Sequence, residues 1–414
     1  MPATSRIVTE CGSCGSQSLD SILFLGYMQP ACSMPKIGDR PKEEAHFPLE
    51  LLRCSTCTLV QLSCIVDPSI IFHKDYPYSS GNTKALRENF ADLAKEATEA
   101  ADLQPTDLVV DIGANDGTLL SNFACRVLAV DPTDQVQTAR AKGMPVYQGF
   151  FSKQVAQALR HEFGSAKLIT ACNVLAHVED IHSVLEGIVD LLADDGMLVT
   201  ENHWLGSVVG NQWDTIYHEH LRYYDFPSLW ALLKAHGLTP VTVRSIPTHG
   251  GSLRVAAVKS LGAKGAIWWS NDDEVDQPVP VDALDSEVAD SCAEIQEAVA
   301  HAQREGRVWG IGAAARGATL LNACGLNLEA VCEVAGSDKI GHYMPGTTTP
   351  VVDEAEFYQV NPESAILLSW HLADFLVPKM RAKGYAGNII VPLPRVQTLR
   401  PDPFVLPEEM SCGA

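Results

Sequence analysis

The chain has 414 residues, of which 46% are hydrophobic and 20% are charged, a balance typical of folded globular proteins. That length accommodates two or three domains of ordinary size. The formal net charge of −21 argues against a nucleic-acid partner, because an acidic surface repels a phosphate backbone.

The apolar runs are too short to cross a membrane. SILFLGYM and AILLSWHLADFLV fall well below the roughly 20 residues that span a bilayer. The first residues, MPATSRIVTECG, lack the apolar core of a signal peptide. We therefore expect a cytoplasmic protein without a membrane partner, whose 12 cysteines are reduced thiols or metal ligands.

The chain divides into four stretches that differ in composition and in hydrophobic pattern. Residues 1–72 hold six of the 12 cysteines and no long amphipathic pattern, which predicts a small zinc-binding domain. Over residues 73–262 a helix, ALRENFADLAKEATEAA, precedes alternating strands and helices, a pattern that predicts a doubly wound parallel sheet. Residues 263–303 read as a linker with a connecting helix near 284–304. Residues 304–414 again alternate, so the predicted class is α/β, with a second, smaller α/β domain after the doubly wound sheet.

Two Cys-x-x-Cys pairs lie in the first stretch, Cys11 with Cys14 and Cys54 with Cys57. Two residues between cysteines let one turn present both sulfurs to a tetrahedral ion, so the pattern predicts a structural Zn²⁺ site. Four thiolates would fill the metal shell and leave no open position for catalysis. A redox pair and unligated core cysteines are the alternatives. Cys32 and Cys64 have no partner at ligand spacing, which predicts small buried side chains.

The segment LVVDIGANDGT places a glycine turn directly after a buried strand. Its Gly-x-x-x-Gly spacing lacks the Gly-x-Gly-x-x-Gly turn that binds a pyrophosphate, which favours a nucleoside cofactor. A second acid, Asp131, ends the next strand, where it suits a ribose diol. Together these features resemble the class I S-adenosylmethionine (SAM) methyltransferases, with an ordinary structural turn as the alternative. The candidate cofactor residues are Asp111, Gly113, Asn115, Asp116, Gly117 and Asp131.

A second glycine loop, RVWGIGAAARG, follows an apolar strand near the start of the last stretch. Gly310, Gly312 and Ala315 match the dinucleotide fingerprint, and Glu333 lies where such sites place a ribose acid. NAD binding, another phosphate-bearing ligand and a structural turn are three open interpretations. Arg316 and Lys339 nearby would suit a diphosphate.

The stretch NQWDTIYHEHLRYYDF crowds proton-transfer groups together after the strand GMLVTEN. Ligands of open α/β sheets bind at the carboxyl ends of the strands. We predict that His220, beside Glu219, acts as a general base, since imidazole titrates near neutral pH. A metal site at His218-x-His220 and solvated loop residues are the alternatives. Weaker single candidates, each also compatible with a packing role, are His177, His249, Tyr76 and Tyr78.

In their order along the chain, these segments resemble one family, the zinc-containing, SAM-dependent sugar C-3 methyltransferases of deoxysugar and antibiotic biosynthesis. The matching segments are the Cys-x-x-Cys pairs with CTLVQL, DYPYSSG, DIGANDGT, NVLAHV, QWDTIYHEHLRYY, HGGSLRV, GAAARGATLLNACG and HYMPGTTTPVV. The resemblance implies a structural zinc domain, a central SAM domain and a C-terminal Rossmann-like domain that does not require NAD.

The resemblance also implies a reaction. The substrate would be a nucleotide-linked, dTDP-type 4-keto-deoxysugar, from which His220 removes the C-3 proton so that the enolate takes the methyl group of SAM. The positions that match residues near the reacting sugar are Tyr78, His177, Tyr217 and Glu219. Asn173, in NVLAHV, would contact the cofactor. The substrate contacts would be Tyr76, His249, Arg316, Lys339 and His342.

The sequence leaves open the nucleotide, the substituent on C-3 and the stereochemical outcome. We expect a monomer, with oligomers not excluded. Two other functions compete with the methyltransferase. One is an NAD-dependent nucleotide-sugar oxidoreductase that uses the Gly310 loop, and the other is a zinc-containing binding protein that only senses SAM and nucleotide sugars.

Overall fold

The structure, a computed structural model, describes residues 4–39, 44–71, 81, 83–259, 269–270 and 275–401. Their contacts divide the chain into two compact units. The first unit comprises Met1–Leu23, Glu50–Ser207 and His218–Val281, and the second comprises Phe24–Leu49, Val208–Tyr217 and Asp282–Ala414. The four domain boundaries given above stay predictions.

The β-strands are β1 Ser5–Ile7, β2 Leu19–Met28, β3 Phe47–Cys54, β4 Val60–Leu62, β5 Cys64–Val66, β6 Leu108–Ile112, β7 Arg126–Asp131, β8 Val146–Gln148, β9 Ala166–Cys172, β10 Leu192–His203, β11 Arg222–Tyr223, β12 Thr239–Ile246, β13 Ser252–Val258, β14 Trp269–Ser270, β15 Val308–Ile311, β16 Ala330–Glu333, β17 Val351–Asp353, β18 Ser364–Leu367, β19 Asn388–Val391 and β20 Gln397–Leu399. The α-helices are α1 Pro68–Ile71, α2 Lys84–Ala100, α3 Val136–Ala141, α4 Lys153–Phe163, α5 Ile181–Leu191, α6 Leu205–Val209, α7 Phe226–Ala235, α8 Leu284–Glu305, α9 Ala315–Ala323, α10 Glu354–Val360 and α11 Ala373–Ala382. Short 3₁₀ turns cover Leu120–Asn122, Trp213–Thr215, Thr248–Gly250 and Trp370–Leu372.

The central sheet of the first unit has the strand order β14-β12-β13-β10-β9-β6-β7-β8. Strands β10, β9, β6, β7 and β8 run parallel to one another, as the alternating pattern predicts. Strand β6 is buried along its whole length, which explains its continuous apolar sequence. Helix α2 packs its apolar face into the core of this unit. Its N-cap is Thr83, whose side chain accepts a hydrogen bond from the backbone N–H of Leu86.

One edge of this sheet departs from the predicted parallel arrangement. Strand β13 runs antiparallel to both β10 and β12. The connection between β12 and β13 contains only the 3₁₀ turn Thr248–Gly250, and a parallel crossover needs a dozen or more residues. The two strands therefore form a hairpin, which apolar sequence runs alone do not distinguish from parallel neighbours.

The second unit contains a smaller sheet of order β17-β16-β15-β18-β19-β20. Its strands are parallel except for β20, which pairs antiparallel with β19. Helix α8 confirms the helix predicted near 284–304. The predicted fold class is thus confirmed: an α/β chain with a cysteine-rich N-terminal module and two Rossmann-like sheets. No helix in the described ranges is both long enough and apolar enough to cross a membrane.

Candidate active site

The four cysteines of the two Cys-x-x-Cys pairs meet in the first unit. Their sulfur atoms all lie within 4.8 Å of one another, with 3.5 Å between the Sγ atoms of Cys11 and Cys57 and 3.6 Å between those of Cys14 and Cys54. The backbone N–H of Ser13 donates to the sulfur of Cys11, and that of Thr56 donates to the sulfur of Cys54. Each nitrogen–sulfur distance is 3.4 Å. Four sulfurs in this arrangement fit a tetrahedral Zn²⁺ ion.

No other metal-binding group of this kind occurs in the described part of the chain, where only the four cysteines bring three or more ligand atoms this close together. His218 and His220 are therefore not part of such a group, and the structure gives the His-x-His metal alternative no support. Cys64 is fully buried in β5, as predicted, and burial raises the pKa of its thiol. Cys32 is half-buried.

The predicted cofactor turn follows β6 and is built on left-handed backbone. Gly113 and Gly117 both have φ of 74°, and Asn115 has φ of 51°. A Cβ atom on Gly113 would lie 2.5 Å from a methyl group of Val174, so glycine is required by space as well as by conformation. The helix predicted after the turn is only the 3₁₀ segment Leu120–Asn122, because β7 already begins at Arg126.

The second predicted acid is brought against this turn. Asp131 ends β7, is buried, and its Oδ2 atom accepts a hydrogen bond of 2.9 Å from the backbone N–H of Asn115. Its Oδ1 atom accepts from the backbone and side chain of Thr133. The carboxylate is thus held at the carboxyl ends of adjacent parallel strands, the position from which it could reach a ribose.

Asp111 lies on β6 beneath the turn and is buried. Its Oδ1 atom accepts a 2.7 Å hydrogen bond from Thr170 Oγ1. Burial raises the pKa of Asp111 to about 7, the hydrogen bond from Thr170 opposes the shift, and the charges of Asp131 and Glu201 add to it. A cationic ligand would relieve this concentration of negative charge, and SAM carries a sulfonium and an ammonium group. The chemistry of the site therefore fits this cofactor.

Two further predicted cofactor residues have structural partners. The carboxylate of Asp116 accepts hydrogen bonds from the backbone of Gly81 at 2.8 Å and from Thr118 Oγ1 at 2.6 Å, so it fastens the turn to the chain before α2. Asn173 follows β9 in left-handed conformation, with φ of 56°, and its backbone N–H donates to the Glu201 carbonyl at 2.7 Å. Both lie at the same edge of the sheet as Asp131.

The predicted base lies in a cluster of imidazole rings within the first unit. The ring of His220 is 4.8 Å from that of His177, centroid to centroid, in an edge-to-face arrangement. Burial lowers the pKa of His177 to about 4, the Glu219 backbone opposes the shift through a hydrogen bond, and the charge of His249 adds to it. His177 is therefore neutral near pH 7. His249 has left-handed backbone, with φ of 56°.

The histidine cluster has a member that the sequence interpretation missed. His203 ends β10, is 6% exposed, and its ring lies 6.0 Å from that of His220 with only 20° between the planes. Tyr223 stands at the same centroid distance from His220, edge-on. A signal was present, because His203 follows a buried strand at the carboxyl edge where ligands bind. Tyr76 and Tyr78 lie outside the described residues.

Family models match three consecutive parts of the chain. Residues 11–72 match a zinc binding domain, residues 83–243 a methyltransferase domain, and residues 247–394 a C-methyltransferase C-terminal domain. The chain is also similar to C-methyltransferase NovU of Streptomyces niveus, with 29% identity over 410 residues that cover 95% of this chain and 97% of that protein. These matches support a SAM-dependent C-methyltransferase that contains a zinc binding domain. The chain uses SAM as its cofactor and binds zinc through the four cysteines.

Two solved structures illustrate the more distant likenesses of this C-methyltransferase. Magnesium protoporphyrin IX methyltransferase from Synechocystis PCC 6803 with bound SAH is 18% identical, with a TM-score of 0.34, over 42% of this chain and 83% of that one. A SAM-dependent methyltransferase from Clostridium acetobutylicum is 15% identical, with a TM-score of 0.34, over 42% and 91%.

In the second unit of the C-methyltransferase, the Gly310 loop is bound by side chains of its own unit. Glu333 Oε2 accepts a 2.9 Å hydrogen bond from the backbone N–H of Ala313, and Lys339 Nζ donates to the Ala313 carbonyl at 2.8 Å. The predicted ribose acid and one predicted diphosphate cation thus both contact the loop backbone. His342 is half-buried and pairs with Lys36 in an isolated β-bridge.

Arg316 lies on α9 and is 7% exposed. It donates to Asp214 from Nε at 2.9 Å and from Nη2 at 2.8 Å. Trp370 Nε1 also donates to Asp214, at 2.7 Å. The guanidinium that the sequence interpretation offered to a diphosphate is therefore directed at a carboxylate of the same unit. Tyr217, half-buried, follows this anchored segment directly.

Proposed function

We propose that this C-methyltransferase methylates C-3 of a nucleotide-linked 4-keto-deoxysugar, with dTDP as the expected nucleotide. The observation that carries the proposal is the histidine cluster around His220 at the carboxyl edge of the sheet that also bears the cofactor turn. A C–H bond must be broken before a carbon can be methylated, and the α-carbon of a ketone is acidic enough for an imidazole base. The similarity to C-methyltransferase NovU supports transfer of the methyl group to a carbon atom.

His220 is proposed to take the C-3 proton. The electron pair of the broken C–H bond moves into the enolate of the C-4 ketone. C-3 of this enolate then forms the new bond to the methyl carbon. Bound SAM would supply an electrophilic methyl group, with S-adenosylhomocysteine (SAH) as the leaving group. The carboxylate of Glu219, adjacent in sequence and buried, is proposed to stabilise the imidazolium that forms on His220.

A neutral group must stabilise the enolate oxygen without competing for the proton. His177 fits that task, because burial lowers its pKa to about 4 and leaves a neutral imidazole able to donate one N–H. Tyr217 and Tyr78 are the other proposed hydroxyl donors near the sugar. Contacts of Tyr76, His249, Lys339 and His342 with the rest of the substrate, and of Asp111, Asp131 and Asn173 with the cofactor, are part of the same proposal.

The test compares His220→Gln with a matched control, His182→Gln. His182 is an exposed histidine whose Nδ1 atom lies 2.8 Å from Nε2 of His236 on another surface of the first unit. Both variants and the parent are incubated with SAM and dTDP-4-keto-deoxysugars, and SAH release and the mass of the sugar are followed. We expect His220→Gln to lose about 10²–10⁴-fold in kcat while it keeps SAH binding by calorimetry. His182→Gln should match the parent.

Exchange of the sugar C-3 hydrogen in D₂O separates the two steps. With SAH in place of SAM, the parent should wash deuterium into C-3 and His220→Gln should not. A near-parental exchange rate in His220→Gln would refute the base assignment. Methylation on oxygen or nitrogen instead of C-3 would refute the proposed substrate chemistry.

A further inference from the structure

A pair of cysteines outside the zinc cluster lies in the second unit. Cys292 is on α8, Cys324 is the C-cap residue directly after α9, and their Sγ atoms are 3.1 Å apart. Cys324 is completely buried, whereas Cys292 is half-buried. Among the described residues this pair belongs to no group of three or more possible metal ligands, so its chemistry is that of a dithiol.

The two thiols are chemically different. The S–H group of Cys324 donates toward the sulfur of Cys292, which lowers the pKa of Cys292. The same contact raises the pKa of Cys324, and its burial and the nearby charge of Asp214 raise that pKa further. The thiolate therefore forms first on Cys292, which is also the more exposed sulfur. A reactive thiolate beside a buried partner is the arrangement of a redox-sensing dithiol.

A side-chain hydrogen bond already links the two segments that carry the cysteines. Gln296, one helical turn after Cys292 on α8, donates a 2.8 Å hydrogen bond from Nε2 to the carbonyl of Cys324. A disulfide requires the sulfurs to approach to about 2.05 Å. Side-chain rotation over that small distance leaves α8 and the end of α9 in place.

We propose that Cys292 and Cys324 form an oxidation site at which hydrogen peroxide converts the dithiol to a disulfide. The Cys292 thiolate attacks one peroxide oxygen, the O–O bond breaks, and Cys292 becomes a sulfenic acid while hydroxide leaves. The sulfur of Cys324 then attacks the Cys292 sulfur, the S–O bond breaks, and water leaves with the Cys324 proton. A thiol reductant restores the dithiol by thiol–disulfide exchange.

The neighbours of the pair indicate which part of the second unit the disulfide would affect. Ser291, adjacent to Cys292, accepts a 3.1 Å hydrogen bond from Trp213 Nε1. Thr319, on α9, donates to the carbonyl of Ile216 at 2.9 Å. A covalent link between α8 and the end of α9 would therefore tie together the two helices that hold the segment before Tyr217.

The test titrates the zinc-loaded, full-length protein with hydrogen peroxide and maps cysteines by peptide mass spectrometry. We expect one cross-linked peptide pair, Cys292 with Cys324, lighter by two hydrogen atoms and restored by dithiothreitol. Its rate should exceed oxidation of Cys125, a half-buried cysteine of the first unit whose pKa is raised by burial, by about tenfold or more. Zinc release, read with a chromogenic chelator, should require a higher peroxide dose.

Three variants make the outcome decisive. Cys324→Ser should stop at the sulfenic acid of Cys292, trapped by dimedone, and Cys292→Ser should remove the rapid phase. Cys125→Ser should oxidise like the parent. Thermal melts of each variant without peroxide verify folding. The proposal is overturned if Cys292 and Cys324 stay reduced while Cys125 oxidises, or if the parent gives only singly oxidised Cys292 with no link to Cys324.

Discussion

Arg316 and Asp214 form a buried, two-pronged ion pair. Two N–H groups of the guanidinium meet the two carboxylate oxygens at 2.9 and 2.8 Å, and both residues are less than a tenth exposed. Trp370 adds a third hydrogen bond to Asp214, and its ring lies 4.6 Å from the guanidinium carbon. Since Asp214 stands three positions before Tyr217 in the same unit, this pair anchors the segment that ends at a proposed active-site tyrosine.

Replacing Arg316 should cost stability first. We expect Arg316→Ala to lower the free energy of unfolding by about 3–5 kcal/mol, because it leaves the carboxylate of Asp214 buried without its cation. Arg316→Lys should lose less, since it keeps the charge but not the fork geometry. Denaturant titration followed by circular dichroism measures both. Arg307→Ala is the control, because Arg307 pairs with Glu363 on the surface and its loss should cost about 1 kcal/mol or less.

The same variants distinguish anchoring from substrate binding. If Arg316 bound the diphosphate, Arg316→Lys would raise KM for the nucleotide sugar and leave stability unchanged. We expect the reverse: KM within about threefold of the parent and a loss in kcat that follows the loss of stability. A large rise in KM in a fully stable Arg316→Lys protein would contradict the anchoring role.

The zinc site and the alternation of strands and helices could be predicted because their signals are local. Two residues between cysteines allow both sulfurs to face one ion. Buried strands are recognised as continuous apolar runs. The turn after β6 could be predicted in the same way. Gly113 adopts a left-handed conformation and lies too close to Val174 for any side chain. Each of these features is set by a few consecutive residues.

The ion-pair partners of charged residues could not be predicted from the sequence in this way. Arg316 and Asp214 are 102 positions apart, and no periodicity connects them. A basic residue after a glycine loop has the same sequence signature whether it contacts a phosphate or a buried carboxylate. The antiparallel direction of β13 was not predicted for a related reason. An apolar run shows that a strand is buried but not whether it is parallel to its neighbours.

Removal of zinc should unfold the cysteine-rich module. It should not change the methyl-transfer step directly, because four thiolates leave the ion no open position. Cys54 is fully buried in the cluster, so Cys54→Ala should reduce bound zinc, measured by elemental analysis, from about one to about zero per chain. Cys64→Ala is the matched control, since Cys64 is equally buried but lies outside the cluster. Equal zinc in both variants would contradict the assignment. The melting temperature should fall in Cys54→Ala well beyond the fall in the control.

Binding of SAM should depend on pH through Asp111. Burial holds the pKa of this carboxyl at about 7, so it is protonated below that pH and charged above it. A cationic cofactor favours the charged form and lowers that pKa, so affinity should rise as pH increases. We expect binding about tenfold weaker at pH 6 than at pH 8 by calorimetry. Asp111→Asn should bind weakly with a flatter profile, and an unchanged slope would show that another group titrates.

His203 should matter for turnover although no motif pointed to it. Its ring stacks beside that of His220 at 6.0 Å, so it limits the orientations open to the proposed base. We expect His203→Asn to lower kcat about tenfold with little change in KM or in SAH affinity, because a misplaced base affects the proton transfer more than binding. The pH profile of kcat/KM should also shift, since an ionisable neighbour of His220 is removed. A parental kcat and profile would assign His203 to packing alone.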